Sequence, residues 1–297
     1  MLARCRVVEE IHGRRSGAPA TRTRPDARGG READSRMGRP SCSSRPALTV
    51  PMHTEVDGEG FPVLMLHGAG VSGWLWGPVR KALPSTVKMI VPDLPGFGRS
   101  ADRAYVSHRR TVRELSDVLH DHAPQGAHVV GFSLGAQLAV LLAAELPHLV
   151  RGVVVISAET KPLPLPGPTL ALLAVSAPLA RRRRFAVAQA RQLGIPEHLM
   201  EQYLRDSVAT SRSTLLSSVG ENIRFGLPVG WSTYPGQAAV MVGAGERTLM
   251  HDFALLTTSA LPASTLHTVE GAAHDIPLSH PDVVASVVRR QIREWVP

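Results

Sequence analysis

The stretch that decides the fold is Gly131-Phe132-Ser133-Leu134-Gly135. It lies between a mostly apolar run at 127–130 and an Ala/Leu-rich run at 136–146, which predicts a strand, a sharp turn and a helix. The glycines two residues before and after Ser133 indicate that the strand and helix backbones approach too closely there for side chains. Such a turn holds the serine in a strained conformation and presents its hydroxyl at the end of a sheet.

The helix that follows Ser133 aims its N-terminal amides at the same point, so the Leu134 amide is a candidate donor to a developing oxyanion. The turn therefore predicts a nucleophile with half of an oxyanion hole. Because G-x-S-x-G also occurs by chance, the other parts of a catalytic site must be found elsewhere in the chain.

The composition is that of a globular protein. Its 297 residues, 43% of them hydrophobic, suffice for one large domain or two small ones. No apolar run reaches the length of a membrane span, and charged residues interrupt the N-terminus where a secretory signal needs an apolar core. We therefore expect a soluble cytoplasmic protein. The only cysteines, Cys5 and Cys42, predict neither a disulfide framework nor a cysteine metal site.

Positive charge is concentrated at the N-terminus. Residues 1–50 contain 11 arginines and 5 acidic residues, a net charge of +6 out of +8 for the whole chain. This segment lacks hydrophobic periodicity, so we expect a disordered basic tail, with Met37 and Met52 as alternative start sites. Because the remaining residues carry a net charge of only +2, we do not expect nucleic-acid binding.

Short apolar runs alternate with helical segments along the body of the chain. The predicted strands are 63–66, 87–91, 129–130, 153–156, 239–242 and 264–269, and the predicted helices are 74–82, 109–122, 134–146 and 281–295. This alternation predicts an α/β fold with a mostly parallel, doubly wound sheet and helices on both faces.

The alternation stops between residues 160 and 235. This stretch opens with four prolines and continues with helical patterns around 170–180, 184–193, 197–209 and 213–225. It predicts a helical lid inserted into a core formed by 51–159 and 236–297. Four consecutive arginines at 181–184 are expected to be solvated, and the alternative is a handle for an anionic substrate or a membrane surface.

Four short motifs each follow a predicted strand. In chain order they are His67-Gly68-Ala69-Gly70, Asp93-Leu94-Pro95-Gly96-Phe97-Gly98-Arg99-Ser100, the pentapeptide at 131–135, and Gly271-Ala272-Ala273-His274. Over residues 52–297 their order and spacing resemble the α/β-hydrolase fold superfamily. The resemblance is to its lidded single-domain enzymes, which include esterases, cofactor-free perhydrolases and carbon–carbon bond hydrolases.

The resemblance implies a Ser-His-acid triad. Ser133 is the implied nucleophile, His274 is its base, and an acid after the penultimate strand would orient the imidazole. Glu246 occupies that position, where family members more often carry Asp, and Glu159 and Asp252 remain alternative acids. Haloalkane dehalogenases and epoxide hydrolases of this fold have Asp at the nucleophile position, so a serine there favours acyl chemistry.

The resemblance also implies an oxyanion hole and a pocket. The backbone amides of Ala69 and Leu134 are the implied oxyanion donors, whereas His67 and Asp93 are interpreted as structural. The expected pocket residues are Gly68, Gly70, Trp74 and Phe132, although Trp74 is also typical of a helix core. No cofactor and no metal are expected.

Three functions fit these observations. The favoured one is a serine hydrolase that cleaves a carboxylic ester of a small-molecule acyl substrate. The same triad would also serve an acyltransferase or a carbon–carbon bond hydrolase, and the fold without chemistry would serve as a ligand-binding protein. Neither stable membrane insertion nor a particular oligomeric state is predicted.

Overall fold

The structure is a computed structural model that describes residues 51–180 and 182–295, with side chains at all of these positions except 176–180 and 295. The segment 1–50, for which the sequence predicts disorder, lies outside the described residues. So do both cysteines and Arg181, the first residue of the arginine run.

One seven-stranded sheet lies at the centre of the described residues. Its strands are β1 (Thr54–Asp57), β2 (Phe61–Leu66), β3 (Val87–Pro92), β4 (Ala127–Phe132), β5 (Val150–Ile156), β6 (Gln237–Gly243) and β7 (Ser264–Val269). Their order is β1-β3-β2-β4-β5-β6-β7, with β1 antiparallel to β3 and every other pair parallel. The predicted mostly parallel sheet is confirmed. The carboxyl ends of its parallel strands share one edge, and their loops meet there.

Helices cover both faces of this sheet. Outside the stretch between β5 and β6 they are α1 (Gly77–Ala82), α2 (His108–His122), α3 (Leu134–Glu145), α8 (Thr248–Ser259), α9 (Ile276–Ser279) and α10 (Pro281–Trp295). Alternate residues of β2 face opposite cores, as a pleated strand requires. Leu64 and Leu66 pack into the core under α2, α3 and α8, whereas Val63 and Met65 pack into the core under α1 and α10.

Four further helices lie between β5 and β6: α4 (Pro166–Ala180), α5 (Arg183–Gln192), α6 (Met200–Ala209) and α7 (Arg212–Arg224). Helix α4 begins four residues earlier than predicted, because proline is tolerated in a first turn whose N–H groups lack intrahelical partners. Two backbone hydrogen bonds join the ends of this insertion, from Leu163 to Ile223 (2.8 Å) and from Leu227 to Thr160 (3.2 Å). Its role as a lid stays a prediction.

Candidate active site

Ser133 occupies a strained turn between β4 and α3. Its φ of 54° and ψ of −116° lie where few residues other than glycine are found. Its N–H donates to the carbonyl of Ile156 on β5 at 2.9 Å. A Cβ at Gly131 would overlap the Gly135 carbonyl, and one at Gly135 would overlap the Leu66 carbonyl. The close backbone approach inferred from the two glycines is therefore present.

The loop after β2 runs beside this turn. A Cβ on Gly68 would lie 3.3 Å from the Ser133 Cβ and 3.1 Å from the Phe132 ring, so the loop backbone contacts both residues. Within the described residues, neither the Ala69 amide nor the Leu134 amide donates a hydrogen bond to the protein. Leu134 is the first residue of α3, where the helix dipole favours negative charge. Both amides are thus free of a protein acceptor, and their role as oxyanion donors stays a prediction.

His67 and Asp93 hold the shape of this loop, as interpreted from the sequence. The His67 Nε2 accepts from the Leu94 amide at 2.9 Å, so Nδ1 carries the proton and donates to the Gly68 carbonyl at 2.8 Å. Burial lowers the pKa of this imidazole, against the opposing charge of Asp93. The Asp93 carboxylate accepts from the amides of Gly73 at 2.7 Å and Arg99 at 2.9 Å. Neither side chain is left free for catalysis.

Glu246 and His274 form a hydrogen-bonded acid–base pair. The Glu246 Oε2 lies 2.9 Å from the His274 Nδ1, and the carboxylate side chain is only 2% exposed. Its Oε1 accepts from the Gly243 amide at 3.0 Å and from the Ser157 hydroxyl at 2.5 Å. Burial opposes ionisation of this carboxyl, but the hydrogen bonds from His274, Ser157 and Gly243 together hold its pKa below the usual value. Glu246 is therefore an ionised acceptor for the Nδ1 proton.

The imidazole of His274 packs on the residue that precedes the serine. Its ring centroid lies 4.9 Å from that of Phe132, at an interplanar angle of 44°. Among the described residues the Ser133 hydroxyl forms no hydrogen bond with His274, a bond that often closes only when substrate binds. With Nδ1 committed to Glu246, Nε2 is the nitrogen left to act on the serine.

The two alternative acids occupy different places. Glu159 follows β5, and its carboxylate accepts a hydrogen bond from the side-chain Nδ2 of Asn222 at 2.8 Å. It is therefore bonded to α7 rather than to the imidazole. Burial raises its pKa, and the charges of His274 and Arg247 act in the opposite direction. Asp252 is exposed on α8. Of the three carboxylates, Glu246 alone bonds the histidine within the described chain.

Trp74 is turned toward the insertion. Its indole N–H donates to the Asp206 carboxylate on α6 at 2.7 Å. Burial raises the pKa of Asp206, against hydrogen bonds from Trp74 and Ser72. Both residues line a cavity of about 400 Å³ whose walls include neither Ser133 nor His274. Gly70, at φ 79°, has open space where a side chain would lie.

Sequence reasoning missed two of the residues that support this site. Ser157 is buried just after β5, has a φ of 53°, and bonds Glu246 across 89 residues of chain. Asp206 contacts the loop after β2 across 132 residues. A polar residue directly after a buried strand is a signal for Ser157, but nothing local identifies Asp206. No group of three His, Cys, Asp or Glu side chains able to hold a metal ion occurs in the described ranges.

Comparison with known proteins places these features in a family. The sequence model described as "Alpha/beta hydrolase family" matches residues 63–287. The pimeloyl-(acyl-carrier protein) methyl ester esterase of Vibrio cholerae is 32% identical over 114 residues, 38% of this chain and 43% of that protein. The enzyme of the same name from Nitrosomonas europaea is 33% identical over 106 residues, 36% of this chain and 40% of its own length. The match thus spans less than half of the length of these relatives.

Solved structures share the fold at lower identity. A bromoperoxidase from Bacillus anthracis superposes with a TM-score of 0.70 at 19% identity, covering 81% of this chain and 94% of that one. The enol-lactonase from Burkholderia xenovorans superposes with a TM-score of 0.70 at 17% identity, covering 82% and 96%. A thermophilic esterase from Thermogutta terrifontis superposes with a TM-score of 0.69 at 19% identity, covering 82% of this chain and 93% of that one.

Proposed function

The chain belongs to the alpha/beta hydrolase family, and from that premise we propose that it is a serine hydrolase that cleaves carboxylic esters. Ser133 is the nucleophile, His274 the general base and Glu246 the acid of the triad. The observation that carries the proposal is the 2.9 Å bond between the buried Glu246 carboxylate and His274, at the sheet edge that holds the strained serine.

The proposed reaction begins with attack of the Ser133 Oγ on the acyl carbonyl, while the His274 Nε2 takes the hydroxyl proton. Glu246 holds the imidazole in the tautomer with Nδ1–H and stabilises the imidazolium that forms. The amides of Ala69 and Leu134 donate to the tetrahedral oxyanion, each worth about 3 kcal/mol of transition-state stabilisation. The imidazolium protonates the leaving alcohol, and water then cleaves the acyl-enzyme by the same steps.

We propose a small-molecule acyl ester as the substrate. The two relatives described above are named pimeloyl-(acyl-carrier protein) methyl ester esterases, which supports ester cleavage over the other acyl chemistries. The helices at 166–224 are proposed as the lid, because residues of α6 and α7 contact the loops that carry Trp74 and Glu159. No helix of the described chain is long and apolar enough to cross a membrane; the cytoplasmic location stays a prediction.

The test is hydrolysis of p-nitrophenyl esters of increasing acyl length by the wild type, Ser133→Ala and Ser116→Ala. Ser116 is a serine on α2 whose hydroxyl bonds the Arg113 carbonyl, so its loss leaves the site intact. The account predicts that Ser133→Ala loses at least about 10³-fold in kcat/KM and that Ser116→Ala matches the wild type. Equal hydrolysis by Ser133→Ala would refute the proposal.

Product analysis separates the two alternative reactions. With an added alcohol, a hydrolase yields mainly free acid, whereas an acyltransferase yields mainly the new ester. A β-diketone substrate cleaved in preference to all esters would identify a carbon–carbon bond hydrolase. Absence of turnover on every substrate, with retained ligand binding, would identify a non-catalytic member of the family.

A further inference from the structure

Helix α4 is apolar on all sides and yet lies on the surface. Its fifteen residues, Pro166–Ala180, include no charged side chain. A helix of that composition is ordinarily buried in a core. Here Val175 is 79% exposed and Leu172 is 71% exposed, and Leu165, which directly precedes the helix, is 74% exposed. Phe185 at the start of α5 adds a further exposed apolar side chain.

The inner side of α4 is already packed. The helix lies against α7, and the Leu170 side chain sits beside Gly220 of that helix. The exposed side chains therefore belong to the outer side of the helix. Leu172 and Val175 lie three residues apart on one face of the helix, and exposed apolar side chains grouped in this way are typical of an interaction site. We call the outer side of α4 with residues 165 and 182–185 the α4 surface.

Positive charge borders the α4 surface. Arg182, Arg183 and Arg184 are exposed directly after α4, and the Arg212 guanidinium donates to the Ala174 carbonyl at 3.0 Å. Residues 160–235 contain nine basic and four acidic residues, a net charge of +5, whereas residues 51–297 together carry only +2. The cationic character of the body of the chain is therefore concentrated in the insertion.

This charge distribution restricts the occupant. The segment 1–50 carries a net charge of +6, and a second copy would present the same arginines. Both would be repelled, because like charges oppose association. A protein partner also needs side-chain donors and acceptors at the rim of its interface. The exposed side chains that the structure describes on α4 are Pro168, Ala171, Leu172 and Val175, which are apolar, and Thr169. Lipid acyl chains need no such hydrogen bonds.

We propose that the α4 surface docks on an anionic lipid interface. The apolar side chains of α4 enter the boundary between headgroups and acyl chains, and the following arginines bind the anionic headgroups. At about 1.5 Å per residue the helix is roughly 22 Å long, shorter than the hydrocarbon core, so it lies in the interface and does not span it. Docking does not depend on the proposed activity, and Ser133→Ala should bind lipid as the wild type does.

The experiment measures partition of the full-length protein onto large unilamellar vesicles by sedimentation. The vesicles contain phosphatidylcholine alone or equimolar phosphatidylcholine and phosphatidylglycerol. The test variant is Leu172→Asp/Val175→Asp. The matched control is Leu255→Asp/Leu256→Asp, which places the same charges at exposed positions of α8, a helix that packs on β6 and β7. A third variant, Arg182→Ser/Arg183→Ser/Arg184→Ser, removes the charges alone.

The wild type should bind the anionic vesicles at least tenfold more tightly than the phosphatidylcholine vesicles, because each arginine near the surface is attracted to the anionic headgroups. The α4 variant should lose about tenfold or more in partition, while the α8 control keeps wild-type binding. The arginine variant should lose the preference for anionic lipid. Thermal unfolding of each variant checks that the fold is retained.

Two results would overturn the proposal. Wild-type binding by the α4 variant would show that another part of the chain, such as the arginines of 1–50 that every variant retains, binds the vesicles. Absence of binding to either kind of vesicle would exclude a lipid occupant and would leave an acidic protein as the class of partner to test.

Discussion

Glu246 is a buried carboxylate that stays ionised because groups from three separate parts of the chain donate hydrogen bonds to it. A backbone amide, a hydroxyl and an imidazole all donate to its two oxygens. Loss of any one donor leaves the others in place, whereas loss of the charge removes what orients His274. Of the three candidate carboxylates, Glu246 alone bonds His274 among the described residues, and its orienting role in catalysis stays a proposal.

Glu246→Gln should lower kcat/KM by about 10³–10⁴-fold, since an amide cannot stabilise the imidazolium or hold it in one tautomer. Asp252→Asn makes the same chemical change on the exposed side of α8 and should leave kcat/KM unchanged. Steady-state kinetics on one p-nitrophenyl ester compares the two. A large loss in Asp252→Asn with none in Glu246→Gln would move the acid to α8.

The three residues of the proposed triad could be selected from the sequence because each follows a strand in a short motif with a mechanical role. The pentapeptide around Ser133 needs two glycines for close packing, and the structure has both contacts. Ser157 and Asp206 could not be assigned in the same way. Ser157 bonds Glu246, 89 residues away, and Asp206 bonds Trp74, 132 residues away. No local sequence pattern encodes such tertiary contacts.

At the scale of elements, the close packing of β4, α3 and the loop after β2 fixes the position of Ser133. The backbones meet at Gly131 and Gly135 with no room for a Cβ at either position. The rigid turn keeps the hydroxyl beside the N-terminus of α3, where the free amide of Leu134 lies. This close packing is thus a condition for the proposed chemistry.

Gly135→Ala should destabilise the protein by at least about 3 kcal/mol, because its Cβ would meet backbone that cannot move without separating β2 from α3. Gly77→Ala is the control, since that position has helical φ and no atom within 4 Å of an added Cβ. It should be neutral or stabilising by up to about 1 kcal/mol. Urea unfolding measures both, and equal destabilisation would contradict this account of the turn.

Strand β1 could not be predicted from the sequence, because it lacks an apolar signature. Strand β1 reads Thr54-Glu55-Val56-Asp57, and three of its four residues are exposed; antiparallel pairing with β3 makes it a strand. The buried strands β2 to β6 are apolar on both faces, which is the pattern of a covered parallel sheet, and these were predicted.

At the scale of the whole molecule, polar contacts join the insertion to the body around the site. Asn222 of α7 bonds Glu159, Asp206 of α6 bonds Trp74, and Glu221 of α7 accepts from the His108 amide at 2.8 Å. Two of these carboxyls, Glu159 and Asp206, have raised pKa values because they are buried. Lowering the pH should therefore stabilise the fold through Glu159 and Asp206, whereas it should destabilise the fold through Glu246.

The free energy of unfolding should depend on pH in opposite directions through Glu246 and Glu159. The lowered pKa of Glu246 means that its ionised form stabilises the fold above pH 4.5, and this contribution is lost as the pH falls through the folded value. The raised pKa of Glu159 means that its ionisation costs stability as the pH rises above 4.5. Glu246→Gln should thus be less stable than the wild type at pH 7, and Glu159→Gln, which keeps an acceptor for Asn222, should be more stable.

Urea unfolding at pH 4 and pH 7 measures both differences. The free energy of unfolding of Glu159→Gln should exceed that of the wild type by more at pH 7 than at pH 4. The free energy of unfolding of Glu246→Gln should fall below that of the wild type by more at pH 7 than at pH 4. If the wild type loses stability against Glu159→Gln as the pH falls, the buried position of that carboxyl is misassigned.

The central claim is that Ser133 is a nucleophile activated by His274 and Glu246, and fluorophosphonate labelling followed by peptide mass spectrometry tests it most directly. The wild type, Ser133→Ala, Ser116→Ala and Glu246→Gln are labelled in parallel. The account predicts one adduct, on the peptide that contains Ser133, retained in Ser116→Ala, absent from Ser133→Ala and slower to form in Glu246→Gln. An adduct on another residue, or one that survives in Ser133→Ala, would contradict it.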